Sequence, residues 1–395
     1  MLPLDGLFVV DLSQFLAGPA ATLRFADLGA RVVKVEHPSR GDLCRTLYVS
    51  NVVIDGDSTL FHAINRNKES FAADLKQPAD LASVHELIAA ADVVVQNFRP
   101  GVAERLGVDY ETAARLNPGV VYGQISGYGP TGPWATKPGQ DLLAQARSGV
   151  MWLNGTRDGP PVPVGLAVGD MLAGAHLAQG MLACLIRRYR TGVGALVETS
   201  LLESLLDFQF EVLTTHLNDS GQRLPDRGPE ELAHTLLSAP YGVYQAADGY
   251  LAIAMGDVPR LGEALELPEL ASCTDQSAWF DERETLIATL ARHLRTQPAR
   301  TWVEVLEPAG VWCAEVLDWP RLFEHEAFKI LQMLQTVGAG ARSITTTRCP
   351  IRVNGEVLHA PRGAPEIGTH DPLETVLARR DAASGRETRP PRTRS

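Results

Sequence analysis

Apolar and polar positions follow two different patterns in the first half of the chain. Five short apolar runs predict buried strands, and segments with helical periodicity such as 78–91 separate several of them. The runs span residues 7–11, 31–36, 92–96, 120–125 and 195–200. Strands that alternate with helices are typical of a parallel sheet with helices packed on it. The pattern therefore predicts an α/β fold for this part of the chain.

The longest apolar segment follows Asp170. It predicts a helix from about Met171 to Arg190 that is apolar nearly all round and therefore buried. Gly192 can end this helix in a left-handed conformation. His176 is interpreted as a core histidine, and the apolar stretch is too short and too interrupted to span a membrane.

Asp170 lies at or next to the predicted N-cap of this helix, and two interpretations compete. Asp is a preferred N-cap residue, and most such caps have only a structural role. Alternatively, small neighbours leave room for a reactant, and the carboxylate attacks an acyl carbon. In that case the free N–H groups of the first helical turn could stabilise the developing oxyanion.

The second half of the chain predicts a change of domain. A continuous apolar helix is expected over 201–217, and residues 218–230 are polar with glycine and proline. A β-hairpin is expected over 239–255, followed by helical periodicity. We predict a large domain over 1–217, a smaller α+β domain over 218–325, a segment over 326–380 that returns to the large domain, and a disordered basic tail over 381–395.

Composition narrows the class of protein. The 395 residues are 45% hydrophobic and 21% charged, with a net charge of −11, which fits a globular protein and argues against nucleic-acid binding. The five cysteines are scattered and lack the spacing of a metal site. We therefore expect no bound metal and expect the cysteines to be reduced thiols. The N-terminus does not read as a signal peptide. A cytoplasmic location is expected.

Polar and basic residues recur where predicted strands end. Residues 37–45, 65–76 and 97–101 follow or include such strand ends, and 126–133 is a loop rich in glycine and proline. Ligands of open α/β sheets bind at the carboxyl ends of strands. Each basic residue alone fits ordinary surface, but their recurrence favours one site for a polyanion.

These landmarks together resemble the family III CoA-transferases, the CaiB/BaiF family that includes formyl-CoA transferase. Matching stretches run from residue 4 to residue 370. They include 17–19, 28–36, 66–70, 74–76, Gln96-Asn-Phe-Arg-Pro-Gly101, Ser126-Gly-Tyr-Gly129, Val168-Gly-Asp170, 349–355 and 367–370. The resemblance implies a Rossmann-like large domain built from both ends of the chain, a smaller α+β domain and an interlocked homodimer.

The resemblance also implies a chemistry in which Asp170 is the nucleophile. CoA would move from an acyl-CoA donor, such as succinyl-CoA or another short acyl-CoA, to a free carboxylic acid. The intermediates would be a mixed anhydride and an aspartyl-CoA thioester on Asp170. CoA and acyl-CoA are then substrates, and no permanently bound cofactor is implied.

Residues matching the family's CoA contacts come from several loops. They are Leu16, Ala17, His37, Ala73, Lys76, Asn97, Phe98, Arg105, Lys137 and Gln140. The formyl-CoA branch has Gln, Arg and Glu where this chain has Leu16, His37 and Gln140. Formyl-CoA is therefore not the predicted donor.

Two other functions are weighed. An α-methylacyl-CoA racemase needs a second base, and the racemase branch has a His where this chain has Gln140, which cannot act as one. A non-catalytic acyl-CoA-binding protein would not need Asp170. For the acceptor acid, Arg227, His234 and Tyr241 give a weak indication of a dicarboxylate, and they fit ordinary loop residues equally well.

Overall fold

The computed structural model describes residues 1–47, 49, 51–220, 226–229, 233–370 and 378. The strands are β1 (Phe8–Asp11), β2 (Arg31–Glu36), β3 (Val53–Ile54), β4 (Asp57–Ser58), β5 (Glu69–Ala72), β6 (Val93–Gln96), β7 (Val121–Ser126), β8 (Ala195–Ser200), β9 (Gly242–Gln245), β10 (Tyr250–Ile253), β11 (Cys313–Glu315), β12 (Leu334–Val337), β13 (Ile344–Thr347), β14 (Arg352–Val353) and β15 (Glu356–Val357). The helices are α1 (Ala17–Asp27), α2 (Thr59–Ile64), α3 (Pro78–Ala90), α4 (Val102–Leu106), α5 (Tyr110–Leu116), α6 (Asp141–Ser148), α7 (Val168–Thr191), α8 (Leu201–Phe208), α9 (Phe210–Asn218), α10 (Val258–Ala264), α11 (Pro268–Ala271), α12 (Ala278–Asp281), α13 (Arg283–Leu294), α14 (Ala299–Leu306), α15 (Trp319–Glu324) and α16 (Glu326–Leu331).

The chain divides into two compact units. The larger contains residues 1–147, 166–208 and the described residues from 331 onward, and the smaller contains 148–165 and 209–330. The predicted boundaries after 217 and after 325 differ from these, and residues 148–165 belong to the smaller unit rather than to the large domain. The predicted polar boundary at 218–230 lies partly outside the described residues, and the predicted tail at 381–395 lies entirely outside them.

The larger unit is built on a six-stranded parallel sheet with the order β5-β2-β1-β6-β7-β8. The predicted parallel α/β architecture is confirmed, and each of the five predicted strands agrees to within one residue at either end. Along the chain the sheet grows outward from β1 in one direction through β5 and then in the other from β6. This reversal is that of a doubly wound nucleotide-binding sheet, and it opens a crevice between β1 and β6 at their carboxyl ends.

Apolar side chains cover both faces of this sheet. On β6, Val93 and Val95 pack with residues of α1 and α7. Val94 points to the other face and packs with residues of α3 and α5. Strands buried on both faces consist almost entirely of apolar residues, which is why the sequence shows them as continuous runs.

Several charged side chains are nevertheless buried where the strands end. Lys68 contacts Asp11 at 3.0 Å, and both side chains have no exposed surface. Glu36 accepts two hydrogen bonds from Arg45, which also donates to the carbonyl oxygen of Pro365. The contact of Arg45 with Pro365 attaches the returning segment of the chain to the edge of the sheet.

Helix α7 differs from its prediction. It begins at Val168, three residues earlier than expected, and only one face is buried, so the expectation of a helix buried all round is wrong for this chain. His176 is half-exposed rather than in the core, and it contacts Ser204 at 3.0 Å. Contrary to expectation, α7 has 24 residues and is long and apolar enough to span a membrane. Core helices of soluble proteins also meet this criterion, so it is weak evidence for a membrane span.

The helix expected over 201–217 is two helices. α8 ends at Phe208 and α9 begins at Phe210. The break is at Gln209, which is buried and donates a hydrogen bond to the carbonyl oxygen of Ser148 at 3.2 Å. Because this tertiary contact fixes Gln209, the chain changes unit there rather than at the polar segment that follows.

The smaller unit contains an antiparallel sheet with the order β11-β10-β9. The predicted hairpin is confirmed as β9 and β10. Buried residues of the sheet, including Leu251 and Ile253, pack against α10, α13 and α14. The unit therefore has its own α+β core.

Gly174 allows α7 to lie close to α1. A Cβ atom there would lie 2.7 Å from the carbonyl oxygen of Ala17 and 3.1 Å from the Cβ of Ala20. We expect Gly174→Ala to destabilise the protein by roughly 1–3 kcal/mol because the two helices must separate, although Ala favours a helix by about 1 kcal/mol. Urea unfolding measures the difference. Gly249→Ala is the control, since no atom lies within 4 Å of its added Cβ; equal midpoints for both variants would contradict the close packing.

Candidate active site

A cavity of about 670 Å³ lies in the larger unit at the carboxyl ends of β1, β6 and β7. This is where the strand order reverses, as expected for the ligand site of such a sheet. Its walls are mainly apolar, and a few polar groups point into it. The predicted site residues among its lining are Leu16, Ala17, Asn97, Phe98, Lys137, Gln140 and Asp170.

The other four predicted contacts do not line this cavity. His37 follows β2 and Ala73 follows β5, so both lie at the same edge of the sheet, on the neighbouring strands. Lys76 and Arg105 are exposed, and Ala73 is buried. These residues remain predicted contacts for the more distant part of a long ligand.

Asn97 connects the loops that follow β1 and β6. Its side-chain oxygen accepts from the backbone N–H of Gln14 at 2.8 Å, and its side-chain nitrogen donates to the carbonyl oxygen of Gln14 at 2.7 Å. Both hydrogen bonds cross the point where the strand order reverses. Asn97 therefore shapes the cavity wall by fixing Gln14, which lies two residues before Leu16 in the same loop.

Asp170 lies in the first turn of α7 and is not its N-cap residue. The N-cap is Ala167, whose side chain makes no capping hydrogen bond. Asp141 takes that role from α6: its Oδ1 atom accepts from the backbone N–H groups of Gly169 at 2.7 Å and Asp170 at 3.2 Å. The structural cap expected of Asp170 is thus provided by another residue, and the side chain of Asp170 is left for a different role.

The oxyanion role expected for the first-turn N–H groups is not supported. Those of Gly169 and Asp170 bind Asp141, while those of Val168 and Met171 bind the carbonyl oxygens of Leu166 and Ala167. All four are therefore occupied. If an oxyanion forms here, it needs other donors.

The carboxylate of Asp170 is partly buried and uncompensated. Within the described residues, no hydrogen bond or ion pair reaches it. Burial, and to a lesser extent the nearby negative charge of Asp141, raise the pKa of Asp170 from an ordinary 3.8 to about 7. A carboxylate with so high a pKa is more basic and more nucleophilic than one exposed to water.

Two of the lining residues that sequence reasoning missed, Asp141 and Phe15, bear on the function of the cavity. Asp141 caps a distant helix, and this function has no local signal in the sequence, since 28 residues separate it from Gly169. Phe15 also lines the cavity. Its place depends on a backbone conformation that the sequence does not indicate.

The residues proposed for the acceptor acid lie in the smaller unit. Arg227 is only 5% exposed, and its guanidinium donates to the carbonyl oxygens of Asn154, Pro160 and Gly159. It stabilises that loop, which weakens the suggestion that it binds a carboxylate. His234 and Tyr241 contact each other edge-to-face with ring centroids 6.4 Å apart.

No cluster of three or more His, Cys, Asp or Glu side chains suited to a metal ion occurs among the described residues. The site that the structure does contain is a carboxylate with a raised pKa in an apolar cavity, at the switch point of a doubly wound sheet. This combination defines an α/β protein with a candidate carboxylate nucleophile rather than a dinucleotide-binding glycine loop.

Comparison with known proteins identifies the family. Residues 4–371 match CoA-transferase family III, and the chain belongs to that family. It is therefore an enzyme of the CoA-transferase class, for which CoA and acyl-CoA are substrates. The predicted family resemblance is confirmed.

Two relatives and one solved structure illustrate the similarity. The acetyl-CoA:oxalate CoA-transferase of Acetobacter aceti is 37% identical over 92% of this chain and 93% of its own. The succinyl-CoA:mesaconate CoA-transferase of Haloarcula hispanica is 36% identical over 93% of this chain and 94% of its own. The crystal structure of a CaiB/BaiF family protein from Brucella suis superposes with a TM-score of 0.81 and 31% identity, covering 96% of this chain and all of that one.

The raised pKa of Asp170 predicts a pH-dependent cost in stability. Because the folded chain binds this proton more tightly than the unfolded chain, stability falls as pH rises from about 4 to about 7. Asp170→Asn removes the titration. Above pH 7 we expect the free energy of unfolding of the variant, measured with urea, to exceed that of the wild type by on the order of 1–3 kcal/mol. The difference should vanish near pH 4. A constant difference across this range would contradict the assignment.

Removing the negative charge of Asp141 should change the pH profile of the reaction. Asp141→Asn keeps an oxygen that can cap α7 but removes the negative charge that raises the pKa of Asp170. We expect the acid limb of the kcat/KM profile to move to lower pH. Asp141→Ala, which loses the cap as well, should also reduce thermal stability. An unmoved acid limb in Asp141→Asn would show that the two carboxylates do not interact.

Proposed function

We propose that this enzyme transfers CoA from a short acyl-CoA to a dicarboxylic acid, with Asp170 as the nucleophile. The observation that carries the proposal is the position of Asp170 in the switch-point cavity, with a pKa raised to about 7 and its capping role taken by Asp141. The family assignment and the match of Val168-Gly-Asp170 to the family's nucleophile motif support it.

The reaction proceeds through four exchanges of acyl groups. The carboxylate of Asp170 attacks the donor thioester carbon, which forms a mixed anhydride and releases CoA thiolate. The thiolate attacks the side-chain carbonyl carbon of Asp170, which gives the aspartyl-CoA thioester and the free donor acid. The acceptor carboxylate then attacks this thioester, forming a second anhydride and releasing thiolate. Attack of the thiolate on the acceptor's acyl carbon yields the new acyl-CoA and restores Asp170.

A carboxylate suits this reaction because an acyl anhydride keeps the acyl group activated for return to sulfur. No proton is gained or lost overall, so the cycle needs no general base. The mainly apolar walls of the cavity would limit water, which would otherwise hydrolyse the anhydride.

The acceptor class follows from the relatives. Oxalate and mesaconate, which appear in the names of the two CoA-transferases described above, are both dicarboxylic acids. Their named donors, acetyl-CoA and succinyl-CoA, carry short acyl groups. We extend both classes to this chain, with succinyl-CoA as the first donor to test.

We also propose that the enzyme is a homodimer, which the family resemblance implies is interlocked. The outer face of α7 and its flanks expose apolar side chains that a single copy leaves in water. These are Leu166, Met171, Ile186 and Val193. A cytoplasmic location is proposed as well, and five unpaired cysteines support a reducing compartment.

The proposed intermediate can be trapped. Incubation with succinyl-CoA and hydroxylamine should convert the thioester or anhydride of Asp170 to a hydroxamate, which peptide mass spectrometry would locate. Asp170→Asn is the control and should give no adduct and at least a thousandfold lower turnover.

A panel of free acids then identifies the acceptor. The enzyme is first incubated with succinyl-CoA, without hydroxylamine, to form the proposed thioester on Asp170. We then add oxalate, mesaconate, glutarate or acetate and measure the new acyl-CoA. Discharge by dicarboxylates and not by acetate is expected. If no adduct forms with any donor, but deuterium enters the α-carbon of a branched acyl-CoA, the protein is a racemase and the proposal is wrong.

A further inference from the structure

The loop between β1 and α1 is fixed almost entirely by polar side chains from other elements. The carbonyl oxygen of Ser13 accepts from the ammonium group of Lys34 at 2.7 Å. Asn97 binds both backbone groups of Gln14. The N–H of Phe15 donates to Oδ1 of Asp42 at 3.1 Å. Three successive residues are therefore held from outside the loop, by side chains that come from three different segments of the chain.

Phe15 has an unusual conformation in this loop. Its φ angle is +62°, in the left-handed region that L residues other than Gly, Asn and Asp seldom occupy. Its side chain is 45% exposed and lines the cavity that contains Asp170. Neither the strained backbone nor the exposed ring stabilises the folded protein, and such residues concentrate at functional sites.

A buried ion pair maintains this conformation. Lys34 and Asp42 lie 2.7 Å apart, and neither side chain has exposed surface. Oδ1 of Asp42 also accepts from the N–H of Cys44, so the carboxylate has a fixed orientation. Because Lys34 holds both Asp42 and the carbonyl oxygen of Ser13, one buried cation controls the loop on either side of Gln14.

We propose that Phe15 is a substrate-binding residue of the transferase, and that the Lys34–Asp42 pair positions its ring against the pantetheine arm of CoA. This inference rests on the proposed function, since attack by Asp170 requires the thioester end of the substrate to enter this cavity. The pantetheine arm is the less polar half of CoA. The neighbouring wall, which includes Leu47, Leu60 and Ile125, is apolar as well.

Binding of two probes tests the contact. Coenzyme A carries the pantetheine arm but no acyl group to transfer, and adenosine 3′,5′-bisphosphate corresponds to its nucleotide half. For Phe15→Ala and Phe15→Gly we expect the Kd of coenzyme A to rise by about five- to twentyfold, as for loss of an aromatic contact. The Kd of the bisphosphate should stay within about twofold. Isothermal titration calorimetry measures both.

The glycine variant separates the ring from the strain. Glycine accepts a φ of +62° without penalty, so Phe15→Gly retains the loop conformation and should fold. If Phe15→Gly binds coenzyme A as the wild type does, the ring makes no contact and the inference is wrong. Phe208→Ala is the matched control, because Phe208 is a 52% exposed aromatic residue of the same unit outside the cavity. It should change neither Kd.

The role of the ion pair is tested in combination. Asp42→Asn should weaken coenzyme A binding in the wild-type background, since the pairing with Lys34 is lost. In the Phe15→Gly background it should cause no further loss, because Asp42 acts through Phe15. Equal effects in both backgrounds would mean that Asp42 only stabilises the fold, and would overturn the positioning role.

Failure of the two proposals can be told apart. An Asp170→Asn variant that binds coenzyme A normally, together with a wild type that forms no adduct, rejects the nucleophile and leaves the Phe15 contact standing. A wild type that forms the adduct, with unchanged coenzyme A binding in both Phe15 variants, rejects only the contact. If the Phe15 variants instead alter the oligomeric state and leave both Kd values unchanged, the ring faces a second copy of the chain and the contact is again rejected.

Discussion

Burial of charge at the carboxyl ends of the central strands constrains the rest of the larger unit. Asp11, Lys34 and Glu36 end or lie within β1 and β2 with almost no exposed surface. Unpaired charges in such positions would be very costly, so each requires a partner. Burial by itself would raise the pKa of Asp11, but Lys68 and Lys34 outweigh it and hold that pKa below its ordinary value. The loops that supply these partners are thereby fixed to one edge of the sheet.

The candidate site differs from these strand ends because its buried charge is not neutralised by a partner. The buried cations Lys34, Arg45 and Lys68 each have a carboxylate partner. The carboxylate of Asp170, in contrast, has no cationic partner among the described residues and lies near the negative charge of Asp141. The β1–α1 loop at the cavity is held by hydrogen bonds to Lys34, Asp42 and Asn97, which do not depend on Asp170. Stability is thus lost at one carboxylate, and the same loss makes that carboxylate a better nucleophile.

The strands and the site region were accessible from local pattern. Continuous apolar runs such as 93–95 exist because both faces of the sheet are covered, and the position of a run along the chain is enough to find it. The helices were less accurately predicted. α7 is apolar on a face that this chain leaves exposed, and α8 ends at Phe208 because Gln209 bonds to Ser148, a residue that lies 61 positions away in the chain. Periodicity cannot register either cause.

The sequence by itself determined the parallel sheet, the family and the acid at position 170. These depend on hydrophobic runs and on short motifs, which are local properties of the chain. Tertiary structure decided what Asp170 is free to do, because the helix is capped by Asp141 from another segment. It also decided that Phe15 lines the cavity, through a left-handed backbone held by the buried Lys34–Asp42 pair. Both outcomes result from contacts between residues distant in the chain, and no local pattern encodes them.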